Sequence, residues 1–75
     1  MKIIGIDTSL LYDPQDIKEA REIKDLDELL IYAKKHATFA KLESNTITLL
    51  DYNSYTFLSV SLDEKYTGST LIRFS

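Results

Sequence analysis

The hydropathy period changes at Thr38, and that change constrains the fold more than any other feature of the sequence. Before it, Leu26, Leu29, Leu30, Ala33 and Ala37 fall at i, i+3, i+4, i+7 and i+11, a stripe down one face of an amphipathic helix. Asp25 stands at the N-cap position with Glu28 three residues on, an acidic variant of the capping box. Lys34, Lys35 and His36 fill the last turn, where they complement the helix dipole. The spacing predicts a helix over about 25–37. After Thr38 polar and apolar residues alternate, with turn residues at Ser44-Asn45 and Asn53-Ser54, so strands in a meander are expected.

Two-residue hairpin loops at both turns would set Glu43 opposite Thr46 and Tyr52 opposite Tyr55, which assigns every side chain to a face. Ala40, Leu42, Ile47, Leu49, Leu58, Val60 and Leu62 then share one face, and the helix is expected to pack on it. Phe39, Leu50 and Phe57 form a row on the other, flanked by Tyr52 and Tyr55. A polar stretch, Asp63 to Ser69, reads as a loop before a last strand over Thr70 to Phe74. At the other end, the isoleucine-rich run from Lys2 to Thr8 reads as a strand. Asp13-Pro14-Gln15-Asp16 combines a cap, a proline at the first helical position and an acid in the first turn. It predicts a second, short helix over about 14–22, although Ala20 to Lys24 also fits an edge strand. The expected fold class is α+β: a small antiparallel sheet of four to five strands with one main amphipathic helix on one face, in a single domain over 1–75. Ile3, Ile4, Ile6, Leu10, Leu11 and Ile17 also need burial, so coverage of the second face by the N-terminal segment is favoured over its exposure as an interaction patch, with Tyr52 and Tyr55 accessible at the rim in either case.

Composition narrows the function. Apolar residues make up 44% and charged residues 28%, enough apolar content for a packed core and more than a disordered chain carries. Nine basic against twelve acidic residues give a net charge of −3, with no cationic stripe to neutralise phosphates, which argues against direct nucleic-acid binding. No cysteine is present, which excludes thiolate nucleophiles, disulfides and thiolate-held zinc and fits a cytoplasmic setting. No apolar run approaches the ~20 residues of a membrane span.

Nor do the chemistry-bearing residues assemble into a catalytic or metal motif. His36 is the sole histidine, and at a helix C-terminus it reads as a surface residue interacting with the dipole. No Gly-x-Ser-x-Gly turn, zinc-ligand spacing, EF-hand spacing or phosphate loop occurs, so no enzyme, cofactor or metal is expected. Ile4-Gly5-Ile6-Asp7-Thr8-Ser9 resembles the first strand of the actin-like ATPase and ribonuclease H-like superfamily, but the likeness ends there and Asp7 reads as the end of a strand. The segment Glu22 to Asp51, with its Asp-Glu-Leu-Leu helix ahead of strands, resembles small uncharacterised phage and mobile-element α+β proteins, with Ala37 where those often carry glycine. That resemblance implies stoichiometric binding to a host protein, including anti-defence (anti-CRISPR-like) inhibition.

The expectation is therefore a non-enzymatic protein-binding module, a phage-type inhibitor of a host defence protein. Its candidate contacts are the aromatic set Phe39, Leu50, Tyr52, Tyr55 and Phe57, since tyrosine is enriched at binding hot spots. An acidic set, Asp13, Asp16, Glu19, Asp27, Glu28, Asp63 and Glu64, could take the place of phosphates in a partner's basic groove. The alternatives are a homodimeric structural protein, with the Phe39/Leu50/Phe57 row as its interface, and a small-ligand or metal-binding protein.

Overall fold

The computed structural model describes residues 1–74. Its elements are β1 (Ile3–Asp7), α1 (Pro14–Arg21), α2 (Leu26–His36), β2 (Phe39–Leu50) and β3 (Thr56–Arg73). The described residues are α+β, with two helices and a three-stranded antiparallel sheet in the order β1-β3-β2. Three continuous strands are fewer than the four to five expected, and the difference lies in how two of them bend. At about 3.3 Å per residue a straight β3 would span roughly 59 Å, yet the molecule's longest extent is 34 Å.

β2 bends at Ser44, whose φ of 56° is left-handed. The Thr38 N–H donates to the Leu50 carbonyl at 2.9 Å and the Thr48 hydroxyl to the Lys41 carbonyl at 3.4 Å, so the limbs 39–43 and 46–50 run side by side. The reversal expected at Ser44-Asn45 is thus a bend inside one strand. β3 bends as well, and the Asp63–Ser69 stretch expected as a loop is extended strand. The first limb of β3 pairs with β1 and with 46–50, and its last limb pairs with 39–43, from Glu43 opposite Ser69 to Phe39 opposite Arg73.

Ile47 lies opposite Val60 and Leu49 opposite Leu58, the register that the alternation predicts. The connection at its end is one residue longer than expected. Ser54 N–H donates to the Asp51 carbonyl and Asp51 N–H to the Tyr55 carbonyl, both at 2.9 Å, with Ser54 at φ 67°. This is a three-residue loop closed by a left-handed residue, and its bulge absorbs the mismatch.

The helices begin where the caps predict. Asp13 Oδ1 accepts from Gln15 N–H at 2.8 Å, and Asp25 Oδ1 from Glu28 N–H at 2.9 Å. Glu28 reaches back to the Lys24 N–H at 2.7 Å, one residue beyond the usual target of a capping box. Helix α1 runs through Ala20 to Arg21, which removes the edge-strand reading of Ala20 to Lys24.

Leu49, Leu58, Val60 and Leu62 are fully buried beneath Ala20 and Ile23 from the α1 side and Leu29, Tyr32 and Ala33 from α2. Both helices therefore serve one core on one face of the sheet. The N-terminal segment does not form a second layer on the other face, contrary to expectation. A register shift between Ile3 and Gly5 turns both Ile3 and Ile6 toward that same core, leaving Ile4 exposed, so β1 extends the sheet in its own plane. Among the described residues no helix is long and apolar enough to cross a membrane.

Candidate functional site

The turn that closes β1 and the turn that opens β3 meet at one end of the molecule. Leu11 N–H donates to the Thr8 carbonyl at 3.0 Å, which folds Leu10–Tyr12 out ahead of the α1 cap. On the other side, Asp51 Oδ1 accepts from Asn53 N–H at 2.9 Å and from Tyr55 N–H at 3.0 Å, which fixes the hairpin loop. Between them lies a hollow of about 490 Å³ whose walls include Leu10, Tyr12, Asp13, Asp16, Asp51, Tyr55 and Phe57.

Two properties of this hollow matter chemically. Its tyrosines are accessible: Tyr12 is 95% exposed and Tyr55 71%, with Tyr52 at 79% on the adjoining loop. Its charge is of one sign. Asp13, Asp16 and Asp51 line it, no lysine or arginine does, and among the described residues no ion pair involves any of the three. Asp13 and Asp51 use Oδ1 for their local bonds and leave Oδ2 without a partner among the described residues. Tyrosine faces beside unpaired carboxylates suit a guanidinium, which stacks on the ring and forks onto the carboxylate.

The aromatic candidates occupy neighbouring positions but different environments. Phe39 is half-buried, with the Arg73 guanidinium 5.8 Å from its ring centroid. Leu50 is half-buried between Thr38 and Thr56. Phe57 packs partly on the core and partly into the hollow, while Tyr52 and Tyr55 stand in solvent. The acidic candidates are more dispersed. Glu28 serves the α2 cap, Asp63 accepts from Lys2 N–H at 2.7 Å, and Glu64 lies 3.7 Å from the terminal ammonium. Asp27 borders an apolar groove between α2 and the sheet. Only Asp13 and Asp16 join residues of the aromatic set.

Glu19 belongs to a cluster that the sequence concealed. His36 Nε2 lies 3.2 Å from Glu19 Oε1, and Lys35 Nζ 3.5 Å from Oε2, so the last turn of α2 is tied to α1. The hydrogen bond to His36 is the main reason that the Glu19 carboxyl sits below its ordinary value of 4.5. The Tyr32 ring packs against His36 at 4.5 Å, and burial, followed by the charges of Glu19 and Asp16, raises its phenol above 10.0. Asp7 ends β1 as the sequence suggests, with Oδ1 accepting from Ser9 N–H at 2.9 Å, and bonding to Ser9 lowers its pKa.

Tyr12 and Asp51 are the aromatic and acidic lining residues absent from the expected contact sets. The signal for Tyr12 was present: a residue immediately before an N-cap aspartate and a first-turn proline lies outside the helix, where a large side chain has little local cover. Among the described residues no three His, Asp or Glu side chains converge as metal ligands. Comparison with protein-family models, with curated proteins and with solved structures returns no match.

Proposed function

We propose that the chain is a non-enzymatic protein-binding module, acting in the cytoplasm as a stoichiometric inhibitor of phage type on the basic, nucleic-acid-binding surface of a host defence protein. The observation that carries this reading is the hollow between the β1–α1 turn and the β2–β3 loop, which three carboxylates and exposed tyrosines line without a basic residue. Aspartates so placed can occupy phosphate positions in a partner's groove, and the tyrosines supply the desolvated anchors that charge alone does not. Inhibition then requires only occupancy.

The test is an affinity capture from host lysate, scored by mass spectrometry, in which the wild type is compared with Asp16→Asn and with a Tyr12→Ala/Tyr55→Ala double variant. These side chains are surface groups, so folding is checked directly by circular dichroism. A hot-spot tyrosine contributes at least ~2 kcal/mol, so the double tyrosine variant is expected to weaken the isolated complex by about 30-fold or more. Added duplex DNA should displace the inhibitor, and raised salt should slow its association. A stoichiometric partner held equally by all three proteins, and indifferent to nucleic acid, refutes the reading.

A further inference from the structure

The two edges of the sheet are protected to different degrees. β1 is short, carries a register shift between Ile3 and Gly5 and ends on exposed Asp7, all features that discourage pairing with a foreign strand. At the opposite edge, the last limb of β3 pairs with 39–43 in unbroken register over Ser69–Arg73 and has no strand on its outer side among the described residues. Leu71 there is 64% exposed and Ile72 about half exposed. The one charge on this limb, Arg73, is drawn over the Phe39 ring.

The backbone of this edge is self-complementary. Phe74 N–H donates to the Thr38 carbonyl at 2.8 Å, so by the alternation of an antiparallel ladder Ile72 and Thr70 also turn their polar groups toward β2. Ser69, Leu71 and Arg73 then turn theirs outward. This outward set is symmetric about Leu71. A two-fold axis there would set Leu71 opposite Leu71 of the second copy and Ser69 opposite its Arg73, satisfying every outward group in the segment with no like charges facing. The whole molecule also exposes more surface than a compact monomer of its size. A compact monomer of 8.6 kDa exposes about 4,700 Å² by the usual size scaling, whereas this chain exposes 5201 Å². The excess, about 500 Å², is more than half of the ~800 Å² that each partner buries in a standard interface.

We propose that two copies of the chain pair through this edge, Ser69–Arg73 against Ser69–Arg73, antiparallel about Leu71. None of the residues lining the acidic hollow lies in this segment, so the dimer carries two hollows.

Sedimentation equilibrium over a wide range of concentration tests the proposal. The wild type should approach twice 8.6 kDa as concentration rises. Leu71→Lys should remain monomeric because it sets two ammonium groups face to face, as should Leu71→Asp, while Ile4→Lys on the other edge should dimerise normally. Mixing the lysine and aspartate variants should restore a dimer, which happens only if residue 71 faces itself. Amide exchange on the wild type provides a readout independent of any variant: the Leu71 N–H should gain protection as the dimer fills. A wild type that stays monomeric, a dimer unaffected by Leu71→Lys, failure of the mixture to associate, or a Leu71 amide whose exchange ignores concentration each overturns the proposal. A monomer whose captured host protein is lost on Leu71→Lys would assign the edge to a foreign strand instead.

Discussion

Leu29 and Leu30 lie next to each other on α2, and the helical stripe read from the sequence includes both. The structure separates them: Leu29 is 4% exposed within the core, and Leu30 is 45% exposed at the border of the apolar groove. Replacing either with alanine is a gain of at most a few tenths of a kcal/mol in helix propensity, so a difference between the two variants reports packing alone. Leu29→Ala removes a fully packed side chain and should cost about 2–5 kcal/mol. Leu30→Ala forfeits only the covered part of a side chain whose complete burial is worth ~1.5–3 kcal/mol, and should cost about 1 kcal/mol. For 75 residues the whole stability is on the order of 4–11 kcal/mol, so the first loss is a large fraction and the second is not. In a urea titration with a slope of ~1 kcal/mol/M, the midpoints should fall by about 2–5 M and about 1 M, with the slopes unchanged. Equal shifts, or a larger one at Leu30, would show that α2 does not present the face described here.

Three further outcomes are expected. Ser54→Gly relieves a left-handed conformation that costs an L-residue ~1–2 kcal/mol, less the extra freedom of glycine in the unfolded chain. A net gain of up to about 1 kcal/mol should raise the melting midpoint by several degrees, and a lowered midpoint would contradict the loop geometry. The Glu19 carboxyl is held below 4.5 in the folded protein, so its contribution is present above that pH and is lost as pH falls through the lower folded value. Glu19→Gln should therefore lower stability at neutral pH and converge with the wild type in acid; parallel curves would deny the contact with His36. Tyr32 has the opposite sign: its phenol is raised above 10.0, so stability present below that pH declines as pH rises through the folded value. Tyr32→Phe should flatten the alkaline limb of the urea midpoint plotted against pH, and an unchanged limb would place the ionisation elsewhere.

Much of the fold was legible because local rules and tertiary packing agree. The Asp13 and Asp25 caps start both helices, and the two-residue loop expected at Asn53-Ser54 yields the Leu49–Leu58 and Ile47–Val60 pairs, because the bulge beside the actual three-residue loop restores that register. Tyr32 was hidden because the stripe considers one helix against one sheet. With α1 packed on the same face, α2 buries a wider arc, and a tyrosine outside the apolar stripe comes to lie 5% exposed beside Ile23 and His36. The count of strands differed for another reason. Turn chemistry at Ser44-Asn45 signals that the chain reverses, but it does not say whether strand geometry is interrupted, and here the left-handed Ser44 permits a bend without interruption.

The hollow was not legible, because it depends on the fate of a five-residue strand. Asp13 and Asp16 are separated from Tyr55 and Phe57 by the whole of α2 and β2, and no spacing rule connects them. What joins them is the course of the chain out of β1, which carries a register shift at Ile3–Gly5. In a regular strand Ile3 and Ile6 would point to opposite faces, and only one of the two could reach the core. The shift turns both inward, β1 stays in the plane of the sheet, and the chain leaving it delivers Leu10 to Asp13 beside the β2–β3 loop. With β1 in the plane of the sheet, Tyr12, Asp13 and Asp16 from one end of the sequence come to line one hollow with Asp51 and Tyr55.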